Sequence, residues 1–280
     1  MGNKQKIIDL FLTNVKGKRP DTTGSNIKHD GKDGHWLERM MGIAANASNT
    51  PDIYDFEMKN DTTSKTTFGD WSANYYVYKD RQYGISRDNF LTIFGKPNAE
   101  KGNRYSWSGE PVPKINKVNS FGQDLIVDAQ NNICIRYFFS KDQRVNKNVI
   151  VPLILQQEGL LIARWDAASI KKKLENKFNK KGWFKCLKDK QGFYTTIVFG
   201  DPINYERWIE FVKSGDVIFD SGMYQGNSRN YSQWRASNSF WEKQITSRYP
   251  NNCHAAVALT RSLWPALIFC LIFSGLIFYL

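Results

Sequence analysis

Read for the spacing of its apolar positions, the chain breaks into short helical and strand-like stretches with no internal repeat. An apolar run from Ile7 to Phe11 predicts a short helix, followed by basic Lys16-Gly17-Lys18-Arg19-Pro20 and a polar loop from Gly24 to Gly34. From His35, Trp36, Leu37, Met40, Met41 and Ala44 recur at helical spacing, which places them on one face of a helix. Asn46 to Pro51 is rich in turn formers and interrupts that pattern. Residues 52–59 alternate, with Tyr54, Phe56 and Met58 set against Asp55, Glu57 and Lys59. That is the period of a strand with one buried and one charged face.

Further along, a helix is expected to end at Phe94-Gly95-Lys96-Pro97, and strands are expected at 123–128, 133–139 and 149–155. A lysine-rich helix or linker covers 169–190 and a short helix 204–213. Strands are read at 193–199 and 216–219, the former from its β-branched and aromatic content. The mixture implies an α/β or α+β fold with a mixed sheet.

Composition narrows the field. Lys and Arg outnumber Asp and Glu by 39 to 27 in 280 residues, a formal charge of +12. Such a surplus favours a polyanionic partner, either nucleic acid or an anionic membrane. The aromatic content tips the balance to nucleic acid. Cys134, Cys186, Cys253 and Cys270 lack the close spacing of a zinc site. With no secretory signal, reduced thiols and a cytoplasmic location are expected. His29, His35 and His254 are too few for multi-imidazole chemistry.

Candidate chemistry concentrates at Pro51-Asp52-Ile53-Tyr54-Asp55-Phe56-Glu57-Met58-Lys59. Phosphodiester hydrolysis needs a cation, carboxylates to hold it, and a positive group near the attacking water. Glu57 and Lys59 share a strand face. Asp52 precedes them at an odd spacing, so a bend would be needed to bring it back. Asp55, on the face of Glu57, competes with it. By themselves these residues equally describe a solvated strand face with a Glu–Lys ion pair, and that plainer reading is favoured.

The surroundings change this. Asp52, Glu57 and Lys59 after a proline resemble the motif of PD-(D/E)XK nucleases. Gly31-Lys32-Asp33-Gly34-His35-Trp36-Leu37-Glu38-Arg39-Met40-Met41-Gly42-Ile43 resembles the glycine loop and Leu-Glu helix of MutH-like enzymes. The order of these motifs is similar to that of MvaI/BcnI-type restriction endonucleases, and the resemblance covers roughly residues 24–250. It implies that Asp52 and Glu57 bind Mg²⁺, with Mn²⁺ able to substitute. Lys59 would polarise the attacking water, and Glu38 would hold a second cation or orient Lys59. It also implies a monomer that cuts one strand of double-stranded DNA at a time at a short specific sequence. A DNA methyltransferase would be its functional partner.

Asp220-Ser221-Gly222-Met223-Tyr224 and the following Arg/Asn-rich stretch to Arg235 resemble that group's recognition region. Arginine reads guanine, and asparagine reads adenine. Arg229 and Arg235 are therefore the leading DNA contacts, followed by Asn227, Tyr224 and Asn230. Lacking aliphatic residues, 224–235 is expected to lie outside the core. The lysine runs 171–173 and 180–181 read as solvated faces or phosphate contacts, and His29 and His35 as loop residues.

Two lobes are expected, a catalytic lobe at 1–145 and a DNA-recognition lobe at 146–250, with an apolar tail at 251–280. The uncharged run 263–280 is about long enough to span a bilayer. It reads as an aberrant tail, with membrane anchoring second. The rival functions are a MutH-like mismatch-repair nicking enzyme and a non-catalytic, membrane-tethered DNA-binding protein.

Overall fold

In the computed structural model, which describes residues 1–23, 32–44, 49–62 and 64–250, fourteen strands pair into four small sheets. The first half of the chain runs α1 (Asn3–Asn14), α2 (Lys32–Met40), β1 (Glu57–Lys59), β2 (Lys65–Asp70), β3 (Tyr75–Tyr76), α3 (Arg87–Phe94), β4 (Lys96–Asn98), β5 (Arg104–Trp107), β6 (Phe121–Val127) and β7 (Ile133–Asp142). It continues with α4 (Lys147–Ile150), β8 (Glu158–Trp165), α5 (Ala167–Phe178), β9 (Trp183–Lys188), β10 (Tyr194–Gly200), α6 (Tyr205–Lys213), β11 (Val217–Ser221), β12 (Met223–Tyr224), β13 (Ser232–Ser237), α7 (Asn238–Lys243) and β14 (Ile245–Tyr249).

The sheet β1-β9-β10-β14 positions the candidate site. β1 runs parallel to β9, with Glu57 opposite Trp183, Met58 opposite Phe184 and Lys59 opposite Lys185. Alternation along these strands makes the sheet a partition between two apolar cores. Phe56, Met58, Phe184, Cys186, Ile197 and Phe199 point into the smaller core, closed by Ile7, Ile8 and Phe11 of α1 and Trp36 and Leu37 of α2. Each fully buried side chain of this kind contributes about 1.5–3 kcal/mol. Trp36 stacks on Tyr194 with centroids 5.8 Å apart, locking α2 to β10. Trp183 and Val198 face the larger core, together with α5 and α6.

That larger core is aromatic. Trp165 and Trp208 both meet Trp234 edge to face, at 5.4 and 5.5 Å, a preferred geometry for paired rings. Trp234 belongs to β13, the middle strand of the sheet β11-β13-β2. The sheets β3-β8-β7-β6 and β12-β5-β4 complete the body.

Several expectations need correction. The strand at 52–59 is only Glu57–Lys59, because the chain turns at Tyr54 and Asp55. Tyr54 is consequently exposed rather than buried. Residues 149–155 form the end of α4 and a 3-10 turn at Leu153–Leu155, not a strand. Only Val151 and Leu155 of that apolar run are buried, while Val149 and Leu153 face solvent. The 169–190 stretch resolves into α5 and β9. Segment 224–235 does enter the core, since Ser232 and Trp234 of β13 are buried. The sheet that carries β1 is completed by strands from 183–249. His29 and the run 251–280 lie outside the described residues. Among the described residues, no helix is long and apolar enough to cross a membrane.

Candidate active site

The site begins with a reversal of the chain. Ile53 and Phe56 exchange both backbone hydrogen bonds, Ile53 N–H to Phe56 O at 3.1 Å and Phe56 N–H to Ile53 O at 2.8 Å. Between them Tyr54 and Asp55 have φ of 49° and 67°, the left-handed signature of a two-residue type I′ hairpin. In a straight strand, residues five apart point to opposite faces. The turn removes that obstacle, and Asp52 folds back beside β1, where its Oδ2 accepts the Met58 N–H at 2.8 Å. Asp55, at the exposed tip, is carried away from Glu57.

Glu57 is 1% exposed. Its Oε1 accepts from Lys59 Nζ at 2.7 Å and pairs with Lys177 Nζ at 3.0 Å. Its Oε2 is buried without a hydrogen-bond partner. Lys59 Nζ also sits 4.9 Å from the centroid of the Phe178 ring. Burial pushes the Lys59 ammonium below its usual pKa, against the pull of Glu57. Burial, followed by the charge of Glu57, raises Asp52 to about 6, while the Met58 N–H and the two lysines oppose the rise.

These features fit a hard divalent cation. Two carboxylates that repel each other, one with an unsatisfied buried oxygen, offer a donor set that a cation would satisfy. Mg²⁺ takes one or two protein carboxylates and fills its octahedron with water and substrate oxygens. Among the described residues there is no cluster of three or more His, Cys, Asp or Glu, which Mg²⁺ does not require.

Glu38, Asp52, Glu57 and Lys59 line one cleft of about 430 Å³, together with Asn60, Lys65, Lys177, Gln233 and Arg235. Glu38, on α2, pairs with His35 Nδ1 at 3.2 Å. His35 therefore belongs to the helix rather than to a loop. Gly34 allows α2 this close approach, since a Cβ there would lie 2.3 Å from Asn60 Nδ2.

The DNA-contact candidates are spread over a contiguous surface. Arg235 Nη1 bonds Asp220 Oδ2 at 2.9 Å and its Nη2 bonds the Lys65 carbonyl at 3.0 Å. With Gln233, Arg235 lines both the carboxylate cleft and an adjoining pocket formed with Asp220, Ser221, Gly222 and Tyr231. Arg229 is farther out, paired with Asp70 at 2.7 Å and lying over Tyr231 at 4.5 Å. Asn227 donates to Tyr224 OH at 3.0 Å and accepts the Arg229 N–H at 2.7 Å. Asn230 Oδ1 accepts from Arg87 Nε at 2.9 Å. Thus Arg235 shares the cleft with the carboxylates, whereas Arg229, Asn227, Tyr224 and Asn230 do not line it.

Sequence reasoning missed Lys177, Gln233 and Arg87. Gln233 was legible in the alternation Ser232-Gln233-Trp234-Arg235-Ala236, where the two polar side chains share a face. Lys177 carried no local signal.

Comparison with known proteins identifies the family. Residues 15–249 match the family model described as LlaMI restriction endonuclease. The chain is 49% identical over 272 residues to the type II restriction enzyme ScrFI of Lactococcus lactis subsp. cremoris, covering 90% of this chain and 98% of that one. The solved complex of restriction endonuclease MvaI with its cognate DNA substrate superposes with a TM-score of 0.53 at 15% identity, over 88% of this chain and 95% of that one. The fold is thereby of the PD-(D/E)XK type.

Proposed function

Because the chain belongs to the LlaMI restriction endonuclease family, we propose that the cleft around Asp52, Glu57 and Lys59 is where it hydrolyses DNA. The protein is a type II restriction enzyme, a site-specific deoxyribonuclease acting on double-stranded DNA. The observation that carries the site assignment is the hairpin at Ile53–Phe56, which turns Asp52 back beside a Glu57 whose Oε2 has no partner.

Asp52 and Glu57 hold Mg²⁺, for which Mn²⁺ can substitute. When bound, the cation neutralises phosphate charge and makes water a better nucleophile near neutral pH. Lys59 is held by Glu57 at 2.7 Å in a buried setting and orients the attacking water. Glu38 supports a second cation or the same water from the α2 side. Arg235 and Gln233 read base edges next to the cut, and Arg229, Asn227, Tyr224 and Asn230 extend the contact outward. Arginine bidentate to guanine is the commonest specific contact. The enzyme acts as a monomer in the cytoplasm, and a methyltransferase that modifies the same sequence protects host DNA.

The test is plasmid digestion with Mg²⁺, with EDTA, and with Asp52→Ala. Discrete fragments that vanish with EDTA and with the substitution are expected. Discrete fragments that survive Asp52→Ala would move the centre elsewhere.

A further inference from the structure

Lys177 stands in the centre without a part in the chemistry so far described. It comes from α5, which Ile170, Leu174 and Phe178 fix against the larger core, so it is presented from a rigid element. Its Nζ is 3.0 Å from the same Glu57 oxygen that Lys59 holds. The two lysines differ in access. The Lys59 side chain is 7% exposed and lies against Phe178, whereas that of Lys177 is 20% exposed and opens on the cleft.

Charge explains why a second ammonium would be there. Asp52 and Glu57 carry two negative charges, and Lys59 and Lys177 carry two positive ones, so the centre is balanced without a metal. A divalent cation approaching Glu57 meets an ammonium already seated on that carboxylate, and like charges a few ångströms apart in a partly dry cleft repel. A phosphodiester reverses the situation. It brings negative charge to the open side of the cleft, where lysine can serve as a mobile point-charge partner.

On the reading of Asp52 and Glu57 as metal ligands, we propose that Lys177 is a second functional lysine of this centre. In the free enzyme it occupies Glu57 in competition with the metal, and it passes to a phosphate oxygen when metal and DNA arrive together. Metal binding and DNA binding then favour each other, and the coupling is reciprocal. A cation entering without DNA has to displace Lys177 into empty cleft, which keeps the free enzyme poorly loaded.

The experiment compares wild type with Lys177→Gln, and with Lys177→Arg as the charge-retaining control. Thermal melting establishes that each variant is folded, and Lys177→Met replaces the glutamine variant if that one is not. Two quantities are read: Mn²⁺ affinity of the DNA-free protein by calorimetry, and plasmid cleavage at saturating Mg²⁺. Lys177→Gln is expected to bind Mn²⁺ at least about threefold more tightly while cleaving about tenfold more slowly or worse. Lys177→Arg should keep its Mn²⁺ affinity within about twofold of wild type, because the opposing charge is retained. Unchanged or weaker Mn²⁺ binding by Lys177→Gln overturns the competition, and unchanged cleavage overturns the phosphate contact. Asp52→Ala separates the two readings. If it still cleaves, the metal site itself is misassigned; if it is inactive while Lys177→Gln behaves as wild type, only the role of Lys177 fails.

Discussion

The proposed cleavage centre and the arginine-bearing surface beside it both consist of paired opposite charges, but the pairs are built differently. At the centre, Glu57, Lys59 and Lys177 share one buried oxygen, and desolvation penalises any member left alone. On the arginine-bearing surface, Arg229–Asp70 and Arg235–Asp220 are partly open to solvent. Exposed pairs contribute little to stability and exchange partners cheaply. The contrast suits the two tasks. On the proposed reading, Lys59 presents a fixed charge and is buried, whereas the groups that change partner, Lys177 and the two arginines, keep access to solvent. The partly buried aspartates also hold each guanidinium in one orientation.

The comparison can be broken most sharply at Asp52. Asp52→Asn keeps an acceptor for the Met58 N–H but removes the charge, so cleavage is expected to fall on the order of 10³-fold or more while gel-shift retention of DNA with Ca²⁺ persists. Loss of both together would make Asp52 a structural residue. Next comes Arg235→Ala, which should reduce cleavage at the target sequence about 10- to 100-fold, the worth of one good base contact. Arg229→Ala should do less, since Arg229 does not line the cleft. Equal loss of specific cleavage and of non-specific retention would mark either arginine as a phosphate contact.

A smaller effect sharpens the cost of burial. The Asp52 carboxyl is raised from an ordinary 3.8 to about 6, chiefly by burial. The folded protein therefore holds this proton more tightly than the unfolded chain, and stability declines as pH rises through that window. Asp52→Asn should consequently be more stable than wild type at pH 8, by on the order of 2 kcal/mol, with the gain vanishing near pH 4. Urea denaturation at the two pH values checks this, and a loss of stability at pH 8 would contradict it. The smallest effect is at the turn. Asp55→Gly relieves a left-handed residue, so stability should rise by up to about 1 kcal/mol with cleavage unchanged. A large loss of activity would restore Asp55 as a rival to Asp52.

The sequence made legible what depends on local period. α1, α2, α6 and β10 fall where the apolar spacing puts them. Glu57 and Lys59 share a face because they are two apart on a strand. Asp52 could not be placed in this way. Its position rests on a type I′ turn formed by Tyr54-Asp55, and neither residue carries the Asn-Gly signature of that turn. β13 was misjudged because polar Ser, Gln and Arg alternate with a single tryptophan, and only the surrounding aromatic core shows that Trp234 is its anchor. Lys177 was invisible for a different reason. The residue lies 118 positions after Lys59, and only the parallel pairing of β1 with β9 brings α5 over the carboxylates.

That parallel pairing also bears on biosynthesis. A three-residue strand cannot hold a turn and two carboxylates by itself, and among the described residues β1 finds its neighbour in Trp183–Lys188. Contacts so distant along the chain form late, and domains emerge from the ribosome from the N-terminus onward. A nascent or truncated chain ending before β9 would already contain Asp52, Glu57 and Lys59 and the turn that joins them, but not the strand on which β1 pairs. On the proposed assignment, cutting therefore awaits synthesis of the chain through Lys188.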